Sequence, residues 1–262
     1  MNIEDIKIVP KWRKNKDELW NETFAGVENV VKPASKTSYL SFWKYTVAAA
    51  IAAMVILCSA AALYRTSEQA ARGSHLAVTL PDGSKVKLNA DSKLNYKPYL
   101  WFISRNVELE GEAFFEVKPG SRFAVKSAGN EVRVLGTNFN VFAREERYNV
   151  TCLTGKIEVT ANHEKWILTP NMQVNLRDGE LDVFEDIDAT QYAGWTQNKF
   201  NFIGVPLADV IKEIERQYDI HISTTSKLDY LYTGNFSRDK QPEEVLEIIG
   251  KPFGITFSII EQ

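Results

Sequence analysis

Three histidines, two cysteines and a cluster of glutamates are the residues of this chain whose side chains could move protons, hold a metal or attack a bond. His75, His163 and His221 lie far apart in sequence. His221 alternates with Ile220 and Ile222, which predicts a strand position facing solvent. Cys58 falls inside an apolar run and Cys152 well beyond it, so the pair is not expected to bridge, and no metal-ligand spacing exists. Glu108, Glu110, Glu112 and Glu116 crowd one region, but strand alternation predicts a solvated face rather than a catalytic carboxylate pair. No Gly-rich phosphate loop, HExxH or Gly-x-Ser-x-Gly motif is present. The expectation is therefore a sensor or relay, not an enzyme, with no cofactor and no metal.

The elements that would position such a relay begin with an apolar run. Residues 46–63 carry no charge, Pro or Gly, and their length matches a bilayer core. Lys44 and Arg65 bracket the run, and Phe42, Trp43, Tyr45 and Tyr64 sit where an interfacial aromatic belt would lie. The spacing predicts a single membrane-spanning helix over residues 45–64. A cleaved signal would lie nearer the N-terminus, and Leu57 before Cys58 does not suit a lipidation site. The preceding tail holds seven Lys and one Arg, whereas residues 65–84 hold only two basic residues. That bias predicts a cytoplasmic tail, residues 1–44, and an exported C-terminal region. A net charge of −3 gives no reason to expect direct nucleic-acid binding.

Within the tail, Trp20, Phe24, Val27 and Val31 recur at helical spacing after Asp17 and Glu18, which suit a helix's first turn. A short amphipathic helix follows. Its apolar face either lies on the membrane surface or docks in a groove of a cytoplasmic partner. Residues 32–41 read as a linker. Beyond the span the period changes to two. Residues 75–88 alternate around Pro81-Asp82-Gly83, a hairpin signal, and short strands are expected at 107–109, 113–117, 123–125, 132–135, 139–142, 150–153, 157–159, 166–168 and 172–176. Residues 74–185 are thus expected to form an all-β sandwich, barrel or roll. Residues 195–262 carry an internal repeat. Phe200–Phe202, 206–214 and 220–222 are echoed by 234–236, 242–249 and 255–257, each reading as strand, Pro-opened helix and strand. Leu207, Val210, Ile211 and Ile214, and then Val245, Ile248 and Ile249, are the expected buried stripes of a small α+β domain with helices on one sheet face. Tyr96, Tyr99, Trp101 and Phe102 are the only aromatic cluster that could serve a carbohydrate-binding module, and core or sheet-edge roles suit most of them better.

The β region contains Val78-Thr79-Leu80-Pro81-Asp82-Gly83-Ser84, Leu88-Asn89-Ala90, Gly111-Glu112-Ala113-Phe114-Phe115, Val134-Leu135-Gly136-Thr137-x-Phe139-Asn140-Val141 and Gly155-Lys156-Ile157-Glu158-Val159. In composition and order this run resembles the FecR family of anti-sigma factors, and the C-terminal repeat is similar to the secretin/TonB short N-terminal fold of the family's Bacteroidetes-type members. The resemblance departs at Asn171, where relatives usually carry Gly; Asn tolerates the left-handed backbone nearly as well. It implies a protein of the inner membrane with a periplasmic C-terminal region. It also implies two partners: a TonB-dependent outer-membrane transporter, whose signalling domain is met in the periplasm, and an extracytoplasmic-function sigma factor, held by the tail through Trp20, Phe24, Val27 and Val31. The alternative is a cell-envelope scaffold or assembly factor built on the same ectodomain. Some members cleave themselves at a Gly-Thr bond, and Gly136-Thr137 is the matching pair. The Thr137 hydroxyl would attack the Gly136 carbonyl, an N–O acyl shift giving an ester that water hydrolyses. The competing expectation is a bulge at Gly136 with Thr137 bonded locally.

Overall fold

A capped helix and a long apolar helix come first along the chain. The computed structural model describes residues 11, 13–26 and 39–260, and it divides into two units, Met1–Ile56 and Leu57–Gln262. Helix α1 (Lys16–Phe24) opens where the Asn15 backbone N–H donates to Glu18 at 3.3 Å, with Asp17 and Glu18 favourably placed against the helix dipole. None of its residues is buried. Helix α2 (Tyr39–Leu63) starts six residues before the expected span, and Phe42–Leu63 has a mean hydropathy of 2.3. Those 22 residues extend about 33 Å, enough for a bilayer core. It is the one helix among the described residues with that length and character.

The second unit is mostly β. Its centre is β5 (Arg105–Glu116), a single strand where two had been expected, at 107–109 and 113–117. Gly111, at φ +98°, lies mid-strand, where β5 passes from one sheet to the other. An added Cβ there would come within 2.9 Å of the Asp91 carbonyl oxygen and closer still to Ser92, so both the backbone angle and the space require glycine. The first half of β5 pairs with β4 (Ser92–Tyr96) and, in parallel, with β6 (Phe123–Ser127). From β6 the sheet continues through β7 (Asn130–Val134) and β10 (Ile157–Ala161) to β11 (Glu164–Leu168). The second half of β5 pairs with β3 (Lys85–Leu88) and β8 (Asn138–Arg144). That sheet continues through β9 (Arg147–Thr154) and β12 (Met172–Arg177) to β13 (Glu180–Phe184). β2 (Leu76–Thr79) pairs with β3, and β1 (Thr66–Ala70) pairs with β4. Both sheets fill one core in which Phe115 stacks on Phe139 with ring centroids 5.0 Å apart.

β1, β4 and β13 were not expected. β1 is polar and becomes a strand by pairing with β4, whereas β4 and β13 carry short alternations, Leu94 with Tyr96 and Leu181 with Val183, that pack on the core. The Asp82-Gly83 hairpin forms as expected, and the Asp82 carboxylate also accepts from Arg105 Nε at 2.8 Å, tying the turn to β5. Asn171 adopts φ +67°, the backbone expected of a glycine substitute. Trp101 is buried and Tyr96 packs beside it, whereas Tyr99 and Phe102 are exposed, so these four do not make one binding surface.

The C-terminal residues form β14 (Lys199–Pro206), α4 (Leu207–Tyr218), β15 (His221–Ser223), β16 (Leu231–Ser237), α5 (Pro242–Gly250) and β17 (Ser258–Ile260). A short helix, α3 (Ala189–Tyr192), precedes them. β14 pairs with β16 and β15 with β17, both antiparallel, giving two separate ribbons where one sheet had been expected. α4 packs against β14 and β16 of one ribbon and β15 of the other. Its Leu207, Val210, Ile211 and Ile214 are buried as the periodicity predicts. On α5 the buried set is Val245, Leu246 and Ile249; Ile248 is exposed, because the stripe follows i, i+1, i+4 instead of i, i+3, i+4.

Candidate functional site

The face of the second sheet that points away from the β core is covered by the C-terminal residues, and a polar network is trapped between them. Phe114 on β5 packs into the C-terminal apolar cluster. Glu112, two residues earlier on the same face, is buried. This corrects the expectation of a solvated Glu108–Glu116 row: Glu108, Glu110 and Glu116 are exposed, but the lid over β5 removes Glu112 from water. Strand alternation assigns a face. It does not say what covers it.

Each oxygen of Glu112 receives an amide. Asn89 donates to Oε2 at 2.7 Å and Asn140 to Oε1 at 2.8 Å. The carbonyl ends of those amides reach across to the C-terminal elements. Asn89 Oδ1 accepts from Gln217 Nε2 at 2.7 Å, and Asn140 Oδ1 accepts from the Trp195 indole at 3.2 Å. Gln217, fully buried on α4, also donates to Glu213 at 2.8 Å. Its own carbonyl faces His75 Nε2 at 3.0 Å, so the imidazole must carry its proton on that nitrogen. The His75 ring meets Trp195 edge-on at 5.3 Å. Arg216 closes the network on Glu213 at 2.8 Å. Outside it, Arg147 pairs with Asp209 at 2.9 Å, and Gly73 N–H donates to the Arg216 carbonyl at 2.8 Å. A cleft of about 130 Å³ opens beside the joint, between Asn149 and Thr151 of the sheet and Tyr192 and Trp195.

Two carboxylates buried in one network cannot both stay charged at ordinary cost. Burial, and then the negative charge of Glu213, push Glu112 up to about 7. Burial would raise Glu213 as well, but the guanidinium groups of Arg216 and Arg144 and the Gln217 amide outweigh it and hold its pKa below the usual value. Of the pair, Glu112 is therefore the one that takes up a proton as pH falls through about 7, while Glu213 keeps its charge. Burial holds His75 below its ordinary pKa despite the Gln217 hydrogen bond, so the ring is neutral.

None of these residues had been singled out as a site. The one signal available was Phe114, an aromatic two positions after Glu112 on a face otherwise made of glutamates. The expected site residues lie elsewhere. Trp20 and Phe24 lie side by side on α1 with centroids 4.6 Å apart and rings tilted at 37°, and are 58% and 41% exposed, an aromatic face that no other element covers among the described residues. Val27 and Val31 lie outside the described residues. Gly136 and Thr137 connect β7 and β8, and a Cβ on Gly136 would come within 2.7 Å of Pro119 Cα. Gly136 is not in the left-handed region, so close approach explains the glycine. Thr137 is buried, and its hydroxyl has no hydrogen-bond partner, contrary to the local bond expected of a structural turn.

Comparison with known proteins gives this architecture its class. The family model described as FecR protein matches residues 64–158, and that described as FecR, C-terminal matches residues 199–262. Two crystal structures of a candidate anti-sigma factor from Parabacteroides distasonis superpose with TM-scores of 0.70 and 0.69, at 34% and 32% identity. The first covers 75% of this chain and 95% of its own, the second 76% and 100%. No curated protein matches the chain. The chain belongs to the FecR family of anti-sigma factors.

The joint makes a pH prediction. Glu112 keeps its proton up to about 7 in the folded chain but loses it near 4.5 when unfolded. The folded state binds more protons across that window, so this residue's contribution to stability falls as pH rises through it. His75, lowered from 6.5, acts in the opposite sense, so the comparison must be internal. The thermal midpoint of Glu112→Gln, measured against wild type in detergent, should improve relative to wild type between pH 4.5 and pH 7. A difference that stays constant across that range would show that Glu112 does not titrate there.

Proposed function

We propose that this protein is a single-pass relay of the inner membrane that controls an extracytoplasmic-function sigma factor in response to a TonB-dependent outer-membrane transporter. The observation that carries this reading is the exposed Leu19, Trp20 and Phe24 face on a helix set before one membrane-length helix. An apolar stripe with no core of its own is stable when a partner's groove covers it. Family membership supports the sigma factor as that partner, and the basic tail supports a cytoplasmic location for it. In this reading the periplasmic part consists of the β domain, residues 74–185, and the two-repeat α+β domain, residues 195–262. The second offers two-stranded ribbons, with Ile203, Tyr230 and Leu231 exposed along one of them, as an edge for the transporter's signalling domain.

One experiment tests both orientation and contact. Inside-out membrane vesicles bearing the full chain should capture the purified sigma factor, and right-side-out vesicles should not. Trp20→Asp should weaken capture by the equivalent of about 2 kcal/mol or more, roughly thirty-fold in Kd. Equal capture by wild type and variant would remove the stripe as the contact, and capture by right-side-out vesicles would reverse the orientation.

Self-cleavage between Gly136 and Thr137 is a second reading, and the orphaned Thr137 hydroxyl favours it. A nucleophile with no competing partner, beside a carbonyl unshielded by any side chain of its own residue, is the arrangement an acyl shift needs. Intact-mass analysis of the purified chain should reveal two fragments for wild type and Thr137→Ser, and one uncut species for Thr137→Ala. A single uncut wild-type chain after long incubation at neutral pH would eliminate the reaction.

A further inference from the structure

Helix α2 runs into the β domain almost without a linker. The Tyr64 N–H still donates to the Ala60 carbonyl at 3.0 Å, and β1 begins at Thr66. Three residues from Leu63 to Thr66 span at most about 11 Å, so the first strand starts at the membrane surface wherever α2 crosses it. Thr66 pairs with Tyr96, the last residue of β4. The segment that follows, residues 97–104, is therefore fixed at the end of the sheet nearest α2. It folds as a 3-10 turn, Pro98–Leu100, and presents Tyr99, Phe102 and Ile103 at 58%, 84% and 72% exposure. Trp101 points the other way into the core, edge-on to Phe123 at 5.8 Å, which anchors the turn. The Tyr64 ring lies 5.2 Å from that of Tyr99, joining the helix end to the exposed patch. Beside it a cleft of about 260 Å³ carries Arg65, Lys97 and Lys126, with Glu108 held by Arg65 at 3.1 Å.

Large apolar side chains this exposed need a reason, and an aromatic and basic combination next to a membrane helix fits the interfacial layer of a bilayer. We infer that residues 97–104 form a foot that inserts Phe102 and Ile103 into the same membrane that α2 spans, with Lys97 and Lys126 facing the lipid phosphates. The β domain would then sit on the bilayer at a fixed tilt instead of swinging on a tether. This rests on α2 being membrane-spanning, and the test separates the two.

In the full chain carrying Cys58→Ala, single nitroxide labels at Phe102→Cys, Ile203→Cys and Met54→Cys would be compared in vesicles of phosphatidylcholine and phosphatidylglycerol. Ile203 lies on the C-terminal ribbon and Met54 within α2. Labels at 54 and 102 should be relaxed by oxygen and shielded from an aqueous nickel chelate, while the label at 203 should be open to the chelate. If 54 is shielded but 102 is as open as 203, the foot is wrong, the span stands, and the patch is left free for a protein partner. If 54 is open too, both the span and the foot fall.

Discussion

Burial of one carboxylate, Glu112, organises the second unit. The β5 face that carries it also carries Phe114, and covering Phe114 with the C-terminal apolar cluster takes Glu112 out of water. A buried carboxyl group left without partners costs free energy in either protonation state, so its environment has to supply them. Asn89 arrives from the turn after β3 and Asn140 from β8, and each uses its other end to hold a C-terminal residue. The two domains are thus joined through amides that are hydrogen-bonded at both ends. Arg144 pins the Asn89 turn by donating to the Ala90 and Asp91 carbonyls at 2.6 and 2.8 Å. A buried hydrogen-bonded network of this kind favours one relative geometry of the two domains.

Asn89, Glu112 and Asn140 all lie in the sequence runs that identify the family, and the joint gives those polar residues a shared physical reason. The apolar members of the same runs, such as Leu88, Ala113 and Phe139, fill the β core. Hydrogen bonds and strand pairing connect α4 through Gln217 to Asn89, Asn89 to Glu112 of β5, and β5 through β4 to β1, the strand that follows α2.

Much of this was legible from periodicity. The apolar helix, the Asp82-Gly83 hairpin, most β strands and the α4 stripe are all set by local pattern, and each appears where it was expected, the helix with an earlier start. What escaped depends on contacts distant in sequence. β1 has no apolar alternation and becomes a strand because β4 lies beside it. Ile248 was assigned to the core by spacing alone, yet the direction from which the neighbouring elements approach α5 exposes it. Glu112 and Gln217, 105 positions apart, meet only through Asn89. Nothing local to either residue announces that meeting.

The central claim is that Glu112 locks the α+β domain and the β domain into one cooperative body. Hydrogen exchange measured by mass spectrometry on the full chain in detergent tests it most directly, comparing amides of α4 with those of β8. The account predicts that both elements open together in wild type, and that Glu112→Ala speeds exchange in α4 far more than in β10 at the far side of the β domain. If α4 already exchanges much faster than β8 in wild type, and Glu112→Ala leaves that difference unchanged, the two domains are independent and the joint does not couple them.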